Sequence, residues 1–288
     1  MNKKTIFSLY WLITCSAFAA PNPFFVFDNG LQSEKLKTIE AQLDLVKQVG
    51  FDGLSWRTDT PEHIKRVLDG ARQRGLKLFT IYIKLELKAG RLVYDQRVKE
   101  IITLCKGTDV MIWPNMSSKQ FKSSDHAGDD IAVAGLRDLA DLCASNGLRI
   151  ALYPHVGMWV HRVEDALRMV KKVDRKNVGL TFNLCHALLD KAEDRIPALI
   201  EDVAPYMFCV SINGADSHSG RAIQALDKGS YDVTIVLKKL KAVGYQGPIG
   251  LQCFNVKDDP QSVLPRSMNA WKRMSGTLEK NASFTAWR

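Results

Sequence analysis

The sequence predicts a (β/α)8 barrel forming a single domain, on three observations. Short β-rich apolar runs alternate strictly with segments of helical periodicity, and eight such strand–helix units follow one another. The phrases Val49-Gly50-Phe51, Arg74-Gly75-Leu76, Asn146-Gly147-Leu148 and Val243-Gly244-Tyr245 recur where a helix hands over to a strand. The strands are apolar throughout, as in a parallel sheet covered by helices. A doubly wound open sheet is the alternative, but no glycine-rich phosphate fingerprint follows the first strand.

The first strand is Phe24–Phe27, ending at Asp28-Asn29-Gly30. The helix Ser33–Gln48 carries Leu36, Ile39, Leu43 and Val46 on one stripe and ends at Gly50. Gly53–Trp56 is the second strand. Thr60 caps the next helix, with Pro61 in its first turn, and Gly75 ends it. Leu76–Ile83 is the third strand, followed by the helix Asp95–Cys105. Asp109–Trp113 is the fourth, followed by a polar loop, Asn115–Gly128, and the helix Asp130–Ser145. Leu148–Leu152 and the helix Arg162–Val173 come next, then Val178–Phe182 and the helix Ala192–Val203. The seventh strand, Tyr206–Ile212, leads into a long glycine-containing loop, Asn213–Ser230, and the helix Asp232–Val243. Ile249–Cys253 is the eighth strand and Gln261–Leu278 the last helix; Glu279–Arg288 has no clear pattern.

At 288 residues, 46% hydrophobic and 25% charged, the chain can bury one large core. Its net charge of +9 is scattered over helical patterns without interleaved aromatics, which argues against nucleic acid as a partner. No internal segment is long and apolar enough to span a bilayer. Met1–Ala19 reads as a cleaved signal peptide: Lys3 and Lys4, the apolar Ile6–Ile13, then Ala17-Phe18-Ala19. An exported protein, periplasmic or secreted, is expected, with the barrel occupying residues 20–288. Leu12-Ile13-Thr14-Cys15 makes lipidation the alternative, although Thr14 fits a lipoprotein box poorly. Five cysteines remain beyond Ala19, mostly inside apolar runs, which suggests buried thiols rather than a disulfide framework.

In a parallel barrel, catalytic groups gather at the carboxyl ends of the strands. Here those ends carry Asp28 and Asn29, Trp56 and Arg57, Tyr82 and Lys84, Trp113 and Asn115, and Tyr153 and His155. They continue with Asn183 and His186, Ser211 and Asn213, and Gln252. Aromatic faces stack on the apolar faces of sugar rings, and amides both donate to and accept from hydroxyls, so a small carbohydrate is the expected partner. His155, His186 and Lys84 are the candidate catalytic residues, as groups able to move protons or polarise a carbonyl. Trp56, Trp113, Tyr153, Asn183, Ser211, Asn213 and Gln252 are the candidate substrate-binding residues. His63, His126 and His161 read as surface positions, and His218 as solvent-exposed in its loop.

The segments Gly147–Leu152 leading to Tyr153-Pro154-His155, Val178–His186 and Gly244–Gln252 resemble the xylose-isomerase-like barrels of the sugar phosphate isomerase/epimerase superfamily. The resemblance covers about Phe24 to Met274. It implies a divalent metal held by Glu, Asp, His and Glu on the fifth to eighth strands. In this chain those positions are Tyr153, Asn183, Ser211 and Gln252. A phenol, two amides and a hydroxyl carry no formal charge at neutral pH, so the usual metal site is expected to be lost and no cofactor is expected. A metal held by His155 and His186 in another geometry is the alternative. The dense His/Asp/Glu cluster of the endonuclease IV branch is missing. Together with the polar strand ends, the resemblance implies an isomerase, epimerase or lyase removing the proton beside a sugar carbonyl; export argues against a phosphorylated substrate, so a neutral keto-sugar or keto-glycoside is expected. Its rivals are a sugar-binding barrel without chemistry and a metal-dependent isomerase with a relocated site. The sequence carries no signal for oligomeric state.

Overall fold

A computed structural model describes residues 22–218 and 220–285, with side chains to residue 276. The expected signal peptide, Met1–Ala19, lies outside the described residues. The strands are β1 (Phe24–Val26), β2 (Gly53–Arg57), β3 (Lys77–Lys88), β4 (Arg91–Tyr94), β5 (Met111–Ser118), β6 (Arg149–Leu152), β7 (Val178–Asn183), β8 (Met207–Ile212) and β9 (Ile249–Leu251). The helices are α1 (Ile39–Val49), α2 (Pro61–Gln73), α3 (Arg97–Leu104), α4 (Asp129–Ser145), α5 (Val163–Val173), α6 (Leu184–Leu189), α7 (Ile196–Val203), α8 (Thr234–Ala242) and α9 (Pro260–Thr285).

Eight strands pair in parallel in the cyclic order β1-β2-β3-β5-β6-β7-β8-β9. The ring closes where β9 meets β1, with Val26 opposite Leu251. This is the predicted (β/α)8 barrel. Two cores follow from the period-2 alternation of side chains. An outer core packs the sheet against the helices. A smaller inner core fills the barrel with Phe25, Phe27, Phe79, Met111, Trp113 and Tyr153, together with the smaller Ala151 and Cys209. Phe25 stacks on Phe79 at 4.9 Å, and Phe27 meets Trp113 edge-on at 4.8 Å. Gly250 makes this aromatic filling fit: a Cβ there would lie 2.5 Å from the rings of both Phe25 and Phe27.

The helix starts match their chemistry. Thr38 caps α1 by accepting from Ala41 N at 3.1 Å, and Thr60 caps α2 by accepting from His63 N at 3.2 Å. Gly50 ends α1 with φ of 93°, a left-handed value that suits glycine.

Three departures from the sequence reading bear on the site. First, the third strand continues to Lys88 and turns back as β4 through Ala89 and Gly90, both at positive φ. The alternation Lys84-Leu85-Glu86-Leu87-Lys88 is the period-2 signal for that extension, and the two-residue turn has the geometry hairpins favour. Gly135 lets α4 approach β4 closely; a Cβ would lie 2.3 Å from Leu92 Cβ. Second, β5 runs on to Ser118, so Asn115–Ser118 belong to a strand and not to the expected loop. Third, α6 begins directly after Asn183, ahead of the helix expected from Ala192, and carries His186 in its first turn. Smaller shifts shorten α1 at its start and carry α9 beyond Leu278.

Candidate active site

The carboxyl ends of the barrel strands enclose a cavity of about 220 Å³. Its floor is aromatic: Tyr82 and Trp113 rise from β3 and β5, and Phe27 and Tyr153 directly follow β1 and β6. Tyr153 is at the centre, edge-on to Trp113 at 4.6 Å, to Tyr82 at 5.5 Å and to His186 at 5.8 Å. Polar anchors set these rings. Trp113 Nε1 donates to Thr181 Oγ1 of β7, and Asn115 Nδ2 donates to the Tyr82 hydroxyl. Burial pushes the Tyr153 phenol well above its ordinary pKa, so it remains a neutral hydroxyl.

One wall is made of imidazoles. His155 follows β6 and His186 sits in α6, with ring centroids 4.1 Å apart. A single peptide, Val156, joins them. His155 Nδ1 lies 2.8 Å from the Val156 carbonyl oxygen, and Val156 N–H points at His186 Nδ1 at 3.3 Å. A carbonyl oxygen only accepts, so His155 Nδ1 carries the proton and its Nε2 keeps a free lone pair. An amide N–H only donates, so His186 Nδ1 is unprotonated, and the neutral ring carries its proton on Nε2. Burial lowers the pKa of His155 and pulls that of His186 down to about 3, with neighbouring His155 and His161 adding to the second shift. Two neutral imidazoles of opposite tautomer thus stand side by side, one with a free acceptor and one with a free donor.

A third histidine supports them. His161, expected at the surface, is only 20% exposed along its side chain: Gly157 N–H donates to its Nδ1 at 2.9 Å, and its Nε2 meets Asp190 at 3.1 Å. The chain from His155 to His161 is a tight loop pinned on Met116 and Val160 carbonyls, which turns His161 inward. His63 packs on Trp56, whereas His126 and His218 are exposed.

The opposite wall is a hydrogen-bonded lattice. Gln252 Oε1 accepts from Asn29 Nδ2 at 2.7 Å and from Phe254 N at 3.1 Å, while Gln252 Nε2 donates to the Tyr153 hydroxyl at 3.3 Å. Beside it, Arg57 Nε lies 2.6 Å from Asp28 Oδ2. Burial raises the Asp28 pKa despite the pull of Arg57. Ser55, Ile223 and Phe254 complete the lining.

His155, His186, Trp113, Tyr153 and Gln252 therefore line one cavity. Asn183 and Ser211 are buried and opposite one another across β7 and β8, but do not line it; Asn183 Oδ1 accepts from the Cys185 thiol at 3.1 Å. Asn213 serves its own loop, donating to the Gly214 and Ala222 carbonyls. Five of the ten candidate residues, Trp56, Lys84, Asn183, Ser211 and Asn213, thus lie outside the lining. Trp56 faces outward, packed on His63 of α2 at 5.8 Å, because its neighbours Ser55 and Arg57 take the inward positions of β2. Lys84 is exposed on the extension of β3, two residues beyond Tyr82, and is outside the cavity lining. Asp28, Asn29, Arg57 and Tyr82 stood among the strand-end residues and carry more of the lining than either. Phe254 and Ile223 come from loops, where no pattern in the sequence marks them.

The four positions at which the resemblance implies metal ligands do not fit a divalent cation. Tyr153 is a neutral phenol, Ser211 is a hydroxyl, and the carbonyl oxygens of Asn183 and Gln252 already accept hydrogen bonds. Among the described residues, no group of three or more His, Cys, Asp or Glu is placed to hold a metal ion. All five described cysteines are buried and unpaired; burial pushes the Cys185 thiol up to about 12, which keeps it protonated. No helix among the described residues is long and apolar enough to cross a membrane.

A model of the family described as xylose isomerase-like TIM barrel matches residues 43–274. The chain is 24% identical to an inosose dehydratase of Geobacillus thermodenitrificans over 178 residues, 56% of this chain and 59% of that protein. It is 26% identical to a 3-dehydroshikimate dehydratase of Pseudomonas aeruginosa over 259 residues, 81% of this chain and 38% of that protein. These matches span less than two thirds of the curated relatives' lengths. Among solved structures, a 3-keto-D-glucoside 4-epimerase from E. coli in apo form superposes with a TM-score of 0.67 at 19% identity, covering 88% of this chain and 99% of that one.

Proposed function

The chain belongs to the xylose isomerase-like TIM barrel family, and from that premise we propose that it is a carbohydrate-active isomerase, epimerase or lyase. It removes the proton beside the carbonyl of a neutral keto-sugar or keto-glycoside, without a metal. The observation that carries this reading is the His155–His186 pair, set in opposite tautomers by one peptide on the cavity wall. Relatives named as dehydratases, and a structural neighbour named as an epimerase, agree with chemistry next to a carbonyl.

His155 Nε2 takes the carbon-bound proton, and the electron pair moves onto the carbonyl oxygen as an enolate. His186 Nε2–H supplies the hydrogen bond or proton that the oxygen needs. Turning of the enolate so that its other face meets the imidazole wall, followed by return of the proton to the same carbon, is epimerisation. Return of the proton to the former carbonyl carbon, with the adjoining hydroxyl giving up its own proton as it becomes the new carbonyl, is isomerisation. Loss of a β-hydroxyl, protonated as it leaves, is elimination. Enolate charge has to be met by fixed donors and cations. Tyr153, which burial keeps protonated, is the lining donor suited to that task. Lys84, outside the lining, is not assigned this role. The pattern of Met1–Ala19 supports an exported protein, which in turn favours a non-phosphorylated substrate; the mass of the mature chain tests this part.

Proton NMR in D2O, with chelator and a panel of neutral keto-sugars and keto-glycosides, tests the reaction. Deuterium entering the carbon beside the carbonyl, or an eliminated product, is expected. Ligand line-broadening without exchange would indicate a binding barrel instead. Silence relieved by a divalent metal would restore the metal-dependent reading.

A further inference from the structure

The 220 Å³ cavity is not closed on the outside. A wider open groove of about 800 Å³ adjoins it, and Asp28, Asn29, Arg57 and Phe254 line both. These four residues form a sill between an inner and an outer compartment. The inner one falls below the ~300–1,000 Å³ of ordinary ligand pockets, enough for one sugar ring and little beyond it.

Phe254 marks the sill. It is 61% exposed, the most exposed large hydrophobic side chain among the described residues, and contributes little to either core. A ring left in water forgoes stabilisation that burial would supply, so its placement needs another reason. The backbone beneath it belongs to the site: Phe254 N donates to Gln252 Oε1, the atom that Asn29 also holds. The following residue, Asn255, adopts a left-handed φ of 61°, a conformation asparagine tolerates better than most residues. The platform is thus tied to the same lattice that fixes the cavity wall.

The outer groove has no free acid to offer. Glu34 pairs with Lys37, Asp28 with Arg57, Asp259 with Lys35 and Asp258 with Arg266. Its lining carboxylates are matched by basic side chains, Lys257 adds one further lysine, and the amides and hydroxyls of Asn29, Gln32, Ser33 and Asn255 lie between them, which suits a hydroxylated ligand better than a cationic one.

We propose that the substrate is a glycoside larger than one sugar. The reacting ring occupies the inner cavity and a second glycosyl unit lies in the outer groove, its apolar face stacked on Phe254. This rests on the reading of the inner cavity as the place of reaction. It assigns the groove as a second sugar subsite and Phe254 as its platform.

Calorimetric binding of matched pairs, each a disaccharide and the methyl glycoside of its reacting unit, tests the assignment without requiring turnover. The disaccharide of at least one pair should bind about tenfold more tightly, a factor of 1.4 kcal/mol. Phe254→Ala should bring the two within about twofold, and Phe254→Trp should keep the difference. Equal binding within every pair, an equal loss for both partners in Phe254→Ala, or no saturable binding of any glycoside would overturn the proposal. Tighter disaccharide binding with no deuterium exchange into any keto-glycoside would refute the reaction and leave the second subsite standing. Exchange into free keto-sugars as fast as into keto-glycosides would do the reverse.

Discussion

The two walls of the cavity are built on different principles. On the β6–β7 side, His155 and His186 each spend one ring nitrogen on the Val156 peptide and leave the other free. On the β9–β1–β2 side, Gln252, Asn29, Asp28 and Arg57 hydrogen-bond or ion-pair with one another. Reactivity needs a group with an unspent valence and a pKa that leaves it neutral; orientation needs groups whose valences are already committed. The contrast separates a side that moves protons from a side that holds shape, and the comparison can be broken at four points.

The largest effect is expected on the imidazole wall. His155→Asn or His186→Asn should lower the exchange rate by about two to four powers of ten, the usual span for general acid–base groups. Ligand binding should change far less. The double variant should lose little more than either single one, because the pair works as a unit. Wild-type exchange in either variant would end the distinction between the walls.

Acid should act through the same wall. His186 is held near 3 in the fold and titrates near 6.5 in the unfolded chain. Between these values the unfolded chain binds more protons, so stability falls as pH drops from about 6.5 toward 3. The loss from this one group is on the order of a few kcal/mol. Urea unfolding at stepped pH should show a shallower acid slope in His186→Gln than in the wild type. Catalysis, which needs neutral His155, should stay level through neutrality and decline on an acid limb below the ordinary histidine range.

Gln252→Ala should sharpen the comparison from the other side. It leaves the Asn29 amide and the Phe254 N–H without their acceptor, a cost of about 1–3 kcal/mol in chemical unfolding. In kinetics it should raise KM more than it lowers kcat. A fall confined to kcat would mean that the lattice takes part in the chemistry.

The smallest effect is expected at Asp28. Burial raises its pKa in spite of Arg57, so desolvation outweighs the ion pair, and Arg57 is half exposed. Asp28→Asn should therefore leave stability within about 1 kcal/mol of the wild type, with no loss. A loss of several kcal/mol, measured by urea unfolding, would show that the pair is a structural clamp.

Much of the site was legible because strand ends are legible. An apolar run that stops at Tyr153-Pro154-His155 or at Asn183 announces a strand end, and barrel topology brings such ends together. The outward turn of Trp56 is not legible in the sequence, because neighbouring residues on a strand face opposite sides and the short run does not say which set faces inward; the structure adds a register shift between β2 and β3 at Leu54 and Ser55. Lys84 stands outside the cavity because β3 does not stop at Ile83, so the lysine is carried out past it. His161 looked like a surface residue because its partners, Gly157 N–H and Asp190, come together only when the loop after β6 folds against α6.

By itself, the amino-acid sequence determined the barrel and the set of polar groups at its carboxyl end, including four uncharged side chains at positions where the resemblance implies metal ligands. These properties depend on local periodicity and residue type, which the chain carries wherever it is read. Tertiary structure alone decided which of those groups share a cavity, that one peptide holds two histidines in opposite tautomers, and that an exposed phenylalanine divides an inner from an outer compartment. The reason is physical. Burial, hydrogen-bond partnership and the pKa shifts they cause belong to pairs of residues far apart in the chain, and those pairs exist only once the barrel has closed.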